Sequence, residues 1–330
     1  MKRFWRLTAL LLAVLLLAAP VRAVYSDVPA KHWSYESISR ATELGLVGGR
    51  SGDSFGFGRQ VTRAEYALML CRLMGWELIS PETGSFADNQ KPSKWYYSAI
   101  ETACAHGVLP PIGTNIGPNE PLPREEMAAM TVRALGYASL AGVVQDDCPF
   151  TDVTTNPGYI ALAYHMGLMG GVGRGAFAPQ KAATREQAAA VLLRVYDRIH
   201  AELEQVTLAG SKSAPKDAVQ AEPILDGSGR VPLAPRAPLE RVYDAAVAAG
   251  PGGAVVIHTA PYNTTAGRTI TQDDLSELLS RGATQVYRSS RYASSYLTNG
   301  RTLVWFETEE DIAEKAALCR LLGIKTLYLN

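Results

Sequence analysis

The chain has 330 residues, 47% of them apolar, and its 32 basic and 32 acidic side chains leave it formally neutral. Length and apolar content suffice for two or more ordinary cores, and the lack of a basic excess argues against a nucleic-acid-binding protein. Four scattered cysteines without CxxC spacing and five isolated histidines match neither a metal site nor a disulfide framework.

No metal and no cofactor is therefore expected. Cys71 and Cys319 fall in helical apolar patterns and read as buried thiols; a Cys104–Cys148 bridge stays open. Residues 1–23 read as an export signal. Lys2, Arg3 and Arg6 precede an apolar run from Leu7 to Ala19, and Val21-Arg22-Ala23 offers a peptidase site, so cleavage is expected after Ala23. The run is shorter than the roughly 20 residues of a membrane span, and no other stretch approaches that length. No membrane span is expected after cleavage. Removal of Lys2, Arg3, Arg6 and Arg22 takes the net charge to −4 (0 − 4).

From Tyr25 to about Ile199 one unit recurs three times, with boundaries at 24–85, 86–149 and 150–200. Each copy opens on an aromatic residue and an aspartate two positions later: Tyr25/Asp27, Phe86/Asp88 and Phe150/Asp152. A helix ending in Ala-x-x-x-Gly follows (Ala41/Gly45, Ala103/Gly107, Ala163/Gly167), with the glycines placed as left-handed caps. After a Gly-rich loop comes a second helix, opened by Arg63, Arg124 or Arg185, at an interval of 61 residues both times (124 − 63 and 185 − 124). Gly171-Val172-Gly173-Arg174-Gly175 looks like part of a phosphate-binding loop, but no strand precedes it and it reads as a turn. One helix-loop-helix unit cannot bury its apolar face alone, so the three are expected to pack as one domain.

Capping accounts for most of the second helix start. Thr62 with Glu65, and Thr184 with Gln187, have the spacing of capping boxes, and apolar residues at 66, 68, 69, 70 and 73 form a buried stripe behind the first. Capping does not account for the arginines, because a cation is disfavoured at the positive end of a helix dipole by about 0.3–1 kcal/mol. A helix N-terminus with free N–H groups plus a guanidinium suits an anion. The alternative is an arginine paired with an aspartate of its own or a neighbouring repeat.

The order aromatic-x-Asp-Val, Trp, Ile-x-x-Ala-x-x-x-Gly-Leu, Gly-x-x-x-x-Phe and Thr-Arg-Ala-Glu resembles the S-layer homology repeat of bacterial cell-surface proteins, in triplicate over residues 25 to about 199. The resemblance implies a mainly α domain, a pseudo-three-fold prism of helices. Its grooves would bind an acidic secondary cell-wall polysaccharide, typically one bearing pyruvate ketals. The candidate binding residues are Arg63, Arg124 and Arg185, Asp27, Asp88 and Asp152, and Trp33 and Trp95, whose faces could stack on sugars or pack between repeats. Trp33 and Trp95 stand twelve residues before Gly45 and Gly107, but Thr155 holds that place before Gly167, with Tyr159 nearby. Pro123 stands where a hydroxyl cap is expected, a loss of about 1 kcal/mol. The Arg63 and Arg124 grooves are thus expected to lead that of Arg185.

Residues 201–238, rich in Lys, Ala, Pro, Ser and Gly, read as a flexible linker, and residues 239–330 as an α/β module. Gly253–Thr259, Gln285–Tyr287, Arg301–Phe306 and Ile324–Leu329 read as strands; Thr271–Arg281 and Glu309–Leu322 read as helices, the latter stopped by Gly323. The last strand, helix and strand suggest a βαβ unit with parallel strands. Residues 282–287, Ser295-Tyr296, the run Leu303–Glu309 and the Lys315 helix ending at Leu322-Gly323-Ile324 resemble the last third of the chitinase-like glycosidase barrel. The Asp-x-x-Asp-x-Asp-x-Glu strand of that family is absent, its Tyr-Asp pair falls on Tyr287-Arg288, and its terminal tryptophan falls on Asn330. A closed barrel also needs eight strands and about 250 residues. No catalytic residue is expected; Glu307, Glu309 and Glu310 read as acids at a helix start.

The expectation is a secreted surface protein held on the cell wall by its repeats. The C-terminal module is a non-catalytic, barrel-derived remnant that could meet peptidoglycan or another glycan. A wall-glycan hydrolase with an atypical site and a lattice-forming surface-layer protein are the alternatives, and the module could complete itself with another chain.

Overall fold

The structure is a computed structural model that describes residues 25–109, 115–208, 213–225, 234–281 and 284–330; the expected export signal lies outside them. Each repeat supplies two helices. They are α1 (Tyr35–Glu43) and α2 (Arg63–Met74), α3 (Tyr97–Ala105) and α4 (Arg124–Ala134), then, after the short α5 (Ala138–Val143), α6 (Pro157–His165) and α7 (Arg185–Ile199). The first helix of each repeat ends in the same doubly bonded turn. Gly45, Gly107 and Gly167 sit at φ of 72°, 70° and 70°. The residues after them return N–H bonds of 2.9 Å to the carbonyls of Ala41, Ala103 and Ala163. This explains Ala-x-x-x-Gly: the glycine adopts the left-handed conformation while the next N–H reaches back five residues. Gly171–Gly175 is a tight turn closed by Val172 N–H donating to the Ala176 carbonyl at 2.8 Å.

The repeats close into a ring. Helix α2 packs on α3, α4 on α6, and α7 back on α1. At the centre Leu122 N–H donates to Val61 C=O (2.9 Å), Ala183 to Leu122 (2.8 Å) and Val61 to Ala183 (3.0 Å). These three residues are fully buried, so each repeat hydrogen-bonds both others through the residue just before a helix cap. Buried backbone groups must be paired, and only the complete set of three pairs them all.

After α7 come β1 (Glu204–Thr207) and β2 (Val219–Gln220), then α8 (Leu239–Ala249), β3 (Ala254–Ile257), β4 (Tyr262–Asn263), β5 (Arg268–Thr269) and α9 (Gln272–Ser280). The chain continues through β6 (Gln285–Ser289), β7 (Ser294–Thr298), β8 (Leu303–Phe306), α10 (Glu309–Leu321) and β9 (Thr326–Leu329). A parallel sheet has the order β1-β9-β3-β2, and an antiparallel one the order β5-β4-β8-β7-β6. Two expectations are corrected here. Residues 201–238 are not simply a linker, because β1 and β2 belong to the parallel sheet. The last strand-helix-strand is not a parallel βαβ pair either: β8 lies in the antiparallel sheet, and β9 pairs in parallel with β1 and β3. The module docks on the repeats. Tyr137, almost fully buried, donates to Glu314 C=O at 3.4 Å, and Arg320 donates to Ile199 C=O at 3.3 Å.

Candidate functional site: the grooves of the repeat ring

The repeated aspartates shape the loops between paired helices. Asp27 accepts N–H bonds from Phe55, Gly56 and Phe57 (2.8, 2.8 and 2.9 Å) and the Ser54 hydroxyl (2.8 Å). Burial would raise its pKa, but the Phe57 and Phe55 amides, the Ser54 hydroxyl and the Gly56 amide outweigh it and hold the carboxyl at about 2. Asp88 accepts from Ile116 and Gly117 (2.9 and 2.7 Å), and Asp152 from Phe177 and Ala178 (2.8 Å each). Turning these N–H groups inward leaves neighbouring loop carbonyls to accept an arginine.

That arginine always comes from the preceding repeat in the ring. Arg63 donates to the Ile116 and Gly117 carbonyls (2.8 Å each). Arg124 donates to Phe177 and Gly170 (3.0 and 2.7 Å), and Arg185 to Phe55 and Gly48 (2.9 and 2.8 Å). Arg124 and Arg185 also lie over the rings of Phe177 and Phe55, at 4.6 and 4.9 Å. The first two amides of α2 and α4 are not the free N–H groups that the sequence suggested. The Arg63 and Ala64 amides donate to Glu120 and Pro118 (3.1 and 2.9 Å), and those of Arg124 and Glu125 to Lys181 and Pro179 (3.0 Å each). The Thr62 cap has its expected form, Glu65 N–H reaching Thr62 Oγ1 at 3.2 Å and Glu65 Oε2 accepting the Thr62 amide at 3.0 Å, whereas the Thr184 hydroxyl takes no bond from any described residue and only the return half of that box forms. Gln187 accepts the Thr184 amide at 3.2 Å.

The structure pairs tryptophans with arginines across repeats, not within them. Trp33 lines a groove of ≈ 140 Å³ with Arg124, Met127, Gly170, Gln187 and Arg194. Trp95 lines a larger one of ≈ 320 Å³ with Gly48, Arg50, Glu65, Arg72 and Arg185. Both indoles are exposed, at 57% and 58%, while Arg124 and Arg185 are only 7% and 3% exposed. Arg63, expected beside Trp33, faces neither tryptophan. Its guanidinium grips Glu126 through two bonds of 2.6 and 2.8 Å. The neighbouring Arg133 lies 4.7 Å over the Tyr159 ring and donates to its hydroxyl at 3.2 Å. Thr155, in the tryptophan position, hydrogen-bonds Glu125.

The electrostatics differ in the same way. The Trp33 groove presents Arg124 and Arg194 with no lining carboxylate; burial disfavours the Arg124 cation, which forms no ion pair with any described residue and feels Asp152 only at a distance. The Trp95 groove presents three arginines against Glu65, which lies 3.2 Å from Arg185 and 3.4 Å from Arg50. Capping alone therefore does not account for Glu65. Sequence reasoning also missed Arg72, Arg133 and Arg194. The same interval of 61 (133 − 72 and 194 − 133) was available to find them.

In the C-terminal module Glu307 is buried against Lys315 (2.5 Å) and accepts the Ser294 hydroxyl (2.8 Å). Glu310 lies 3.6 Å from Arg288, whose stronger partners are Asp311 (2.8 Å) and Glu314 (2.5 Å). All four cysteines are free thiols, Cys71 and Cys319 buried. Among the described residues no cluster of three or more His, Cys, Asp or Glu could hold a metal, and no helix is long and apolar enough to cross a membrane.

Comparison with known proteins meets this geometry in the repeats. The model of the S-layer homology domain matches residues 24–67, 89–128 and 149–189. An amylopullulanase of Thermoanaerobacterium thermosulfurigenes is 31% identical over 51% of this chain and 9% of its own length. An endoglucanase of Bacillus sp. (strain KSM-635) is 32% identical over 51% of this chain and 18% of its own. An S-layer protein of Bacillus thuringiensis subsp. finitimus is 34% identical over 35% of this chain and 14% of its own. The chain thus spans less than a fifth of each of these relatives. The repeat ring consists of three S-layer homology domains, related to those of surface-layer proteins and of proteins named as glycosidases.

Proposed function

We propose that the chain is a cell-surface protein held non-covalently on the bacterial cell wall, its repeat ring binding an acidic secondary wall polysaccharide through the Trp33 and Trp95 grooves. The observation that carries this reading is the pairing of an exposed indole with two or three arginines in each groove. An indole face takes the apolar face of a sugar, and a guanidinium fork takes a carboxylate. A pyruvate ketal, which puts a carboxylate directly on a sugar ring, fits that combination. Arg124 and Arg185 are buried in the loops, so the exposed Arg72 and Arg194 are the cations better placed to reach a ligand, although Arg194 also donates to the Leu168 carbonyl at 2.9 Å.

The C-terminal module is read as non-catalytic. Glu307 is held by a buried lysine, and the acids that begin α10 sit by Arg288 or at the positive end of the helix, so these acids do not supply the pair of free carboxylates that glycoside hydrolysis uses.

The test is co-sedimentation of the mature chain with isolated wall sacculi. Trp33→Ala with Trp95→Ala, and separately Arg72→Gln with Arg194→Gln, should release the protein, as should prior removal of pyruvyl groups or of the polymer. Binding that survives both double substitutions would refute the assignment.

A further inference from the structure

The edge of a sheet is a row of unpaired N–H and C=O groups, and proteins keep such edges short, charged, bulged or covered. Three of the four sheet edges in the C-terminal module follow that rule. β2 and β5 have two residues each, and the four residues of β1 begin with Glu204 and Gln205. The fourth edge, β6, does not. It pairs with β7 through five successive residues without a bulge, and its outer side meets no strand of the described residues. It contains neither proline nor lysine and is exposed from Gln285 to Arg288. Its one charge is turned inward, because Arg288 is held by Asp311 and Glu314 at 2.8 and 2.5 Å.

The side chains on this edge are unmatched as well. The register sets Val286 opposite Leu297, and Leu297 opposite Val304; residues directly opposite share a face. Leu297 and Val304 are 2% and 0% exposed, in a small core with Ile270, Leu275 and Phe306, whereas Val286 at the end of their row is 54% exposed. That core therefore stops one strand short of closure. On the other face Tyr287, opposite Tyr296, is 43% exposed.

We propose that β6 pairs with β6 of a second copy of this chain, antiparallel, about a two-fold axis at Val286. A two-fold axis normal to a sheet maps each face onto itself, so it must pass at a residue and not between two. At Arg288 it would oppose like charges, which is destabilising, and at Tyr287 it would set Val286 against Arg288. At Val286 it sets Val286 against its own copy, Tyr287 against Gln285 and Arg288 against Thr284. The two rows Val304–Leu297–Val286 then join into one apolar strip. The contact is isologous, so it closes at two copies and does not grow into a fibre. A strand of another protein would supply the backbone hydrogen bonds but not this self-match. Two such short strands bury less than the roughly 1,200–2,000 Å² of a stable interface, so the dimer is weak and concentration-dependent. Two repeat rings joined in this way would hold one polymer with avidity, a consequence that rests on the anchoring reading, whereas the pairing does not.

The experiment is sedimentation velocity on residues 24–330 over a wide range of protein concentration. A reversible monomer–dimer equilibrium is expected. Val286→Lys, at an exposed position, sets like charges face to face and should weaken dimerisation at least about tenfold, with the circular dichroism spectrum unchanged. Under mild oxidation Val286→Cys should give a linked dimer, the link mapped to position 286 by peptide mass spectrometry, while Tyr287→Cys, opposite Gln285 of the second copy, should not link. A monomer at every concentration, which would leave this edge to a strand of another protein, overturns the proposal. So does a dimer that Val286→Lys leaves intact, or cross-linking that favours position 287. None of these results bears on anchoring through the repeats, which co-sedimentation with sacculi reads separately.

Discussion

The groove beside Arg63 and the two grooves beside Trp33 and Trp95 are built on one plan and end in different states. In all three, an aspartate folds the loop, the loop carbonyls hold an arginine of the preceding repeat, and a second arginine comes from the helix that follows that loop. At Arg63 the charges are met from within, by Glu126, while Tyr159 covers Arg133. At Trp33 and Trp95 the indole stays exposed, and either glutamine replaces the acid or one acid faces three arginines. Symmetry of fold is thus compatible with asymmetry of binding. The repeated arginine is a structural tie in every copy, and the residues around it decide whether cationic character is left for a ligand.

The sharpest way to break the comparison is to cut the tie itself. Arg185→Ala leaves Glu65 and two loop carbonyls without their buried partner and opens the ring between the third and first repeats. Loss of one member of a buried pair costs about 3–5 kcal/mol, so denaturant unfolding should show a destabilisation of that order. Arg63→Ala should cost less, because Glu126 is partly exposed. Equal, negligible losses would contradict the role of the arginines as ties.

Next in size is the effect on polymer binding. Trp33→Ala or Trp95→Ala should each lower the affinity for wall polysaccharide about tenfold, as expected for an exposed aromatic anchor, while Tyr159→Ala leaves it unchanged. A smaller effect comes from acid. The folded-state pKa of Asp27, about 2, lies below the ordinary carboxyl value of 3.8. The contribution of the Asp27 hydrogen bonds is therefore fully present above the higher value and lost as pH falls through the lower one. Hydrogen exchange at the Phe55, Gly56 and Phe57 amides should accelerate from about pH 4 to pH 2 relative to the intrinsic rate, and Asp27→Asn should abolish that step. The smallest effect separates capped from uncapped helices. Thr62→Ala should cost about 1 kcal/mol, whereas Pro123→Ala removes no side-chain cap and should change little.

Much of the ring was legible because its causes are local. The Thr62–Glu65 spacing, the glycines at 45, 107 and 167 and the aspartate two residues after an aromatic each have a single-turn explanation. The partnership of Trp33 with Arg124 was not legible, because a repeat read alone suggests that its own tryptophan serves its own arginine. Ring closure shifts each arginine onto the next repeat's loop, and only the α2–α3, α4–α6 and α7–α1 contacts reveal it. In the C-terminal half, β1 and β2 are too short and too exposed to show alternation, so they read as linker.

The central claim is that two of the three grooves bind polymer and the third is closed by its own side chains. Calorimetric titration of residues 24–330 with a short pyruvylated wall oligosaccharide tests it most directly, because stoichiometry is read apart from affinity. The account predicts two equivalents per chain, reduced to one by either Trp33→Ala or Trp95→Ala and unaffected by Tyr159→Ala. Three equivalents, or a loss of binding on Tyr159→Ala with none on either tryptophan substitution, would contradict it.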